Sequence, residues 1–191
     1  MSHMNLEKYP HIVLMKVGPY CGYSLDEIIN IKQKEEKKVG KYFWGYSGVF
    51  CRPNVVKNLV NYANGNKVYV LFIETKSDFK PSTFDKFNKF SRDGGIWNDL
   101  PEDVLLVGNM NKPHFAITGN KLKEINMTIN LSQYCTLKGI FPNENQRFDK
   151  YFRYRVDKVC GVYVPNNKVE KKDVQVKYIS ELIEPYSILI R

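Results

Sequence analysis

The chain predicts an α+β fold with a mixed, strongly curved or barrel-like sheet and two helices in its N-terminal half. Three observations carry this expectation. Two patterns with helical spacing lie before residue 65, between strand-like runs. From residue 104 onward the apolar runs read as strands. Strict alternation of strand and helix is lost there, and no internal repeat is visible, so neither a doubly wound sheet nor a solenoid fits.

The first strand is HIVLMKV, 11–17, a continuous apolar run of the kind buried on both faces. GPYCGYS, 18–24, is turn chemistry. Ser24 followed three residues later by Glu27 is a capping box, and Gly40 is a C-terminal stop, so a helix is predicted over 25–39. GKYFWGYSGVFCRP, 40–53, is dense in rings and glycines and reads as an irregular strand or a loop packed on the core. Pro53 fits the first turn of a second helix, with Val55, Val56, Leu59, Val60 and Ala63 at helical spacing and Gly65 closing it.

KVYVLFIET, 67–75, is the clearest strand. Residues 76–95 are polar with scattered Phe and read as a long loop or marginal helix. VLLVG, 104–108, and HFAIT, 114–118, read as short strands, and residues 125–131 alternate cleanly after a bulge near 123–124. Residues 148–165 read as a strand or strand pair, and 173–191 as one or two strands broken near Pro185.

The length of 191 residues predicts one domain over 5–191, with a polar loop or insertion at about 76–96. Met1–Met4 reads as a cloning remnant outside the fold. No apolar run reaches the length of a membrane-spanning helix, and no signal peptide is apparent, so a cytoplasmic protein is expected. The four cysteines show no Cys-x-x-Cys spacing, which argues against a zinc ribbon or redox motif.

The formal charge is +9, which favours anionic partners. Only six of the 29 basic residues are Arg, which weakens any case for specific base readout. The wealth of Lys and Asn suits an AT-rich genome, as in many bacteria and phages, and a phage or mobile-element protein fits that composition.

Five constellations offer candidate chemistry. The turn before the first helix, with Tyr20, could admit an anion at a helix N-terminus, although an ordinary strand-to-helix turn has the same composition. Trp44 and Tyr46 offer faces for stacking bases, with Arg52 for phosphate, against the plain alternative that these rings are core. QRFDKYFRYRVDK, 146–158, would place Tyr151, Arg153 and Arg155 on one face of a strand, a basic strip backed by an apolar one. Cys51 or Cys21 with His11 or His114 could form a nucleophile and base, but no motif surrounds them. Asp93, Asp99, Glu102 and Asp103 around Trp97 could hold a cation, yet loop solvation is the simpler role.

The expectation is therefore a non-enzymatic protein that binds nucleic acid or a nucleotide-like anion and acts by sequestration. Its ligand-contacting residues are Tyr20, Trp44, Tyr46, Arg52, Trp97, Tyr151, Arg153 and Arg155, with no cofactor, no metal and no membrane. A protein–protein inhibitor or adaptor, for example of a host defence complex, is the first alternative, and an acidic or RNA-bearing protein complex is a further partner class to expect. An enzyme acting on nucleotides or nucleic acid is the second.

Overall fold

The computed structural model describes residues 8–47, 51–75, 85–104, 107–108, 114–138, 141–151, 158–165 and 172–191. The fold is α+β, as predicted: a strongly curled, half-barrel mixed sheet with its two longer helices in the N-terminal half. The chain runs β1 (His11–Val17), α1 (Leu25–Val39), β2 (Tyr42–Ser47), α2 (Pro53–Ala63) and β3 (Tyr69–Glu74). Short strands β4 (Asp85–Lys86), β5 (Lys89–Ser91), β6 (Asn98–Asp99) and β7 (Val107–Gly108) follow. Then come β8 (His114–Asn130), a 3₁₀ turn, β9 (Tyr134–Lys138), β10 (Phe141–Arg147), α3 (Phe148–Tyr151), β11 (Lys158–Tyr163) and β12 (Asp173–Ile190).

The sheet order is β10-β9-β11-β1-β3-β12, continued through β8 to β2. β1 and β3 are parallel, and the other pairings among the described residues are antiparallel. The long strand β12 meets β8 along one edge and β3, then β5, along the other. Three segments differ from the sequence expectation. HFAIT is not a separate short strand but the start of the 17-residue β8. Pro185 does not break the last strand, because residues 183–186 are accommodated as a bulge while pairing resumes at Ser187. Part of the supposed loop at 76–95 is strand, namely β4 and β5.

Both faces of the sheet are buried. On β1, Val13, Met15 and Val17 join the cluster that also takes Leu25 and Ile29 of α1 and Val56, Leu59 and Ala63 of α2. Ile12 and Leu14 point the other way, into a second cluster with Leu71, Ile129, Tyr134, Phe148, Val159 and Ile179. This explains the unbroken apolar run of HIVLMKV. The helix α2 touches β12, β1, β11 and β9. Eleven residues of helix span about 16 Å, whereas five adjacent strands laid flat span about 19 Å. The curled sheet meets α2 through four of its strands.

Two carboxylates of α1 fix the helix to the sheet. Glu35 is buried, takes the Phe43 N–H at 2.8 Å and pairs with buried Lys32 at 3.2 Å, so the outer edge of β2 is covered. Glu36 accepts the N–H groups of Lys121 and Leu122 at 2.6 and 3.1 Å, where β8 bulges off its ladder and Lys121 sits at φ 56°. The bulges fall on either side of the predicted position, near 121–122 and 125–126.

Candidate functional site

The turn that bears Tyr20 is closed. Tyr20 and Tyr23 exchange both backbone hydrogen bonds at 3.0 Å, with Cys21 at φ 54° and Gly22 at φ 82°, a type I′ geometry. Beyond it, Ser24 and Glu27 occupy the first N–H groups of α1 as a capping box. Asp26 accepts from the Tyr178 hydroxyl at 2.7 Å and lies 3.6 Å from Lys177, and that hydroxyl and lysine hold its carboxyl below the usual range. Two carboxylates already complement the positive end of α1, which argues against an added anion there.

The rings of β2 divide by face. Tyr42 fills the space beside Gly119, where a Cβ would stand 2.4 Å from its hydroxyl, and that hydroxyl meets Ser180. Phe43 packs toward Phe90, with ring centres 6.2 Å apart. Trp44 is half-buried on Phe72 at 5.1 Å. Tyr46 is buried, lies against Phe115, and donates its hydroxyl to the Cys51 carbonyl, with Ser187 3.2 Å away. Burial pushes the Tyr46 phenol well up. Tyr46 therefore serves as core and anchor rather than as an open stacking face, a correction whose cause is the curl of the sheet.

The same anchor positions the start of α2. Cys51 precedes Arg52, the N-cap residue, whose side chain makes no cap bond; Pro53 opens the helix and its first turn carries no acidic residue. Arg52 is exposed. The Lys158 ammonium, on β11, stands 5.8 Å over the Tyr46 ring. The Tyr46 side chain thus meets the backbone just before α2 at one end and the Lys158 ammonium over its ring, with Arg52 next in the chain. Lys158 belongs to the basic stretch that sequence reasoning singled out, but nothing in the sequence joins it to Arg52.

Among the described residues, one part of the predicted basic strip departs from the expected strand. Residues 148–151 form the short helix α3, not a strand, because the buried Phe148 ring turns inward to fill the space beside Gly161. Arg147 is buried and donates to the carbonyls of Ser132 and Val164 at 2.6 and 3.0 Å, so it braces the fold. Tyr151 ends α3, and Arg153 and Arg155 lie outside the described residues.

Trp97 is half-buried and already covered: the Arg191 guanidinium lies 3.9 Å over its ring. Arg191 was missed in the sequence, since its pairing with Lys89 depends on the sheet. Ile96, next to Trp97, is 76% exposed. The acidic residues nearby have local roles. Asp93 accepts from Gly95 N–H at 2.8 Å and from Ser91, and Asp103 pairs with Lys38. Among the described residues no group of three metal-ligating side chains is gathered.

Three of the four cysteines are buried, and Cys21 is half-buried. The Cys51 and Cys160 sulfurs are 3.5 Å apart and buried. His114 packs on Phe87 at 4.9 Å, and His11 on Tyr62 at 5.9 Å. No described helix is long and apolar enough to cross a membrane. Comparison with known proteins finds no matching family model, no matching curated protein and no matching solved structure.

Proposed function

We propose that the protein binds nucleic acid or a nucleotide-like anion without turning it over, and sequesters it in the cytoplasm. The observation that carries this reading is the uncapped N-terminus of α2, with Arg52 at its N-cap, no acid in its first turn, and Lys158 close by over Tyr46. Backbone N–H groups and two cations suit a phosphate. Half-buried Trp44 on the same strand as Tyr46 supplies a ring that could meet a base. Four cysteines carried as thiols fit a reducing compartment.

The test is fluorescence anisotropy with labelled single-stranded RNA, single-stranded DNA and a nucleoside triphosphate. The charge reversals Arg52→Glu with Lys158→Glu, and separately Arg153→Glu with Arg155→Glu, should each weaken binding about tenfold or more. Parent-like affinity in both pairs for all three ligands removes the proposal.

A second reading, a docking protein that inhibits or adapts a partner complex, has its own observation. Exposed Ile96 beside the Trp97–Arg191 stack brings together residue types that anchor protein interfaces. Ile96→Asp would abolish partner capture under that reading and leave oligonucleotide affinity unchanged.

A further inference from the structure

The buried thiols of Cys51 and Cys160 lie beside the anion site proposed above, one just before α2 and one on β11 with Lys158, but their sulfurs are not among its contacts. They are remote in sequence, and one sits directly before α2 while the other lies in the middle of β11. Their sulfurs face each other at 3.5 Å, and both residues are almost fully enclosed, at 2% and 1% exposure. A disulfide holds its sulfurs at about 2.05 Å, so closure needs an approach of roughly 1.5 Å. Rotation about the two Cα–Cβ bonds is the movement this closure requires.

We infer that Cys51 and Cys160 are a modification site, a dithiol that closes to a disulfide under a small peroxide and pins the start of α2 to β11. The reaction balances with hydrogen peroxide as the oxidant. One thiolate attacks a peroxide oxygen, the O–O bond breaks, and a sulfenic acid forms as the released hydroxide takes a proton to become water. The second thiolate then attacks the sulfenic sulfur. An S–S bond forms, the S–O bond breaks, and a second water leaves. In sum, two thiols and one peroxide give one disulfide and two waters.

The surroundings set the rate and the product. Tyr46 holds the Cys51 carbonyl by its hydroxyl, so the Cys51 backbone is fixed next to β11 and the partner thiol is in place when the sulfenic acid forms. The Cys160 thiol is pushed up by its bond with Cys51 and by burial, so closure is slow at neutral pH and quickens as pH rises. Cys135 is the competing thiol. It lies on β9 opposite Val162 and is buried too, but the sulfur that faces Cys160 is that of Cys51. Cys21, half-buried in the first turn, is the thiol most open to solvent.

The test needs no variant. The folded parent protein is treated with hydrogen peroxide, denatured, alkylated with N-ethylmaleimide and mapped by peptide mass spectrometry. The expected result is a Cys51–Cys160 cross-linked peptide two hydrogens lighter than its parts. Two of the four thiols are then lost to the alkylating reagent and recovered by dithiothreitol. The same treatment in guanidinium chloride should give mixed pairings, which shows that the native fold selects the link. Four alkylated cysteines, a link through Cys135 or Cys21 instead, or sulfinic acid at Cys51 or Cys160 without a cross-link would each overturn the inference.

Discussion

A Cβ at Gly161 would stand 2.2 Å from the Phe148 ring and 2.8 Å from the Cys135 carbonyl, closer than real contacts allow. Gly161→Ala should therefore destabilise the protein by about 1–3 kcal/mol in urea unfolding. Adding Phe148→Leu should return part of that loss and not all, because the carbonyl of β9 cannot be trimmed. Strict additivity of the two changes would show that the ring and the glycine do not meet. Neither residue advertises this in the sequence, where Phe148 reads as one more ring in a basic stretch. A second residue-scale effect concerns His11. Burial lowers its pKa from the usual 6.5, and its Nδ1 is enclosed without a hydrogen-bond partner among the described residues. The unfolded chain therefore binds the proton more readily than the fold does. The stability tied to His11 is complete above about pH 6.5 and declines as pH falls below it. His11→Gln should flatten that slope in urea midpoints measured on either side of this pH, and an unaltered slope would assign it to other groups.

The two longer helices show what local chemistry can and cannot reveal. α1 was legible to its boundaries because the capping box and Gly40 at φ 77° are local devices. Ser24→Ala should cost about 1 kcal/mol, since it strips one half of that box. α2 was legible from Pro53, but its functional interest lies in what its start lacks. Arg52→Ser would install a side-chain cap and should raise stability by about 0.5–1 kcal/mol while weakening oligonucleotide binding. A gain in stability with undiminished binding would separate Arg52 from the ligand. The long strands were harder to read. The stretch GNKLKEIN inside β8 is polar because Lys121, Lys123 and Glu124 face solvent, and its bulges break the alternation a strand would show. β12 absorbs Pro185 where a bulge leaves the ladder, so the residue that reads as a breaker interrupts pairing without ending the strand.

At the scale of the whole molecule, the α+β class and the curvature were legible, but the pairing that brings β8 and β12 together was not. Contacts set by sheet order, such as Tyr46 with Cys51 and Ser187 or Arg191 with Trp97, follow from the curl and have no local signal. Charge must be judged at this scale too. Lys67 and Lys121 converge on Glu181, Lys177 bridges Asp26 and Glu74, and Arg92 pairs with Glu184. These cations are partly offset by neighbours, whereas Arg52 has no ion pair among the described residues and points outward. A surplus of +9 thus acts most strongly where it is not paired. If about three phosphates are met there, affinity for a single strand should fall roughly ten- to twentyfold between about 50 and 200 mM salt, linearly on logarithmic axes. Titrations at four salt concentrations give the slope directly. A slope that shrinks by close to one phosphate contact in Arg52→Ala places that arginine on the ligand. A flat dependence in the parent would instead turn attention to Ile96 and Trp97, whose apolar contacts with a protein partner are little affected by screening.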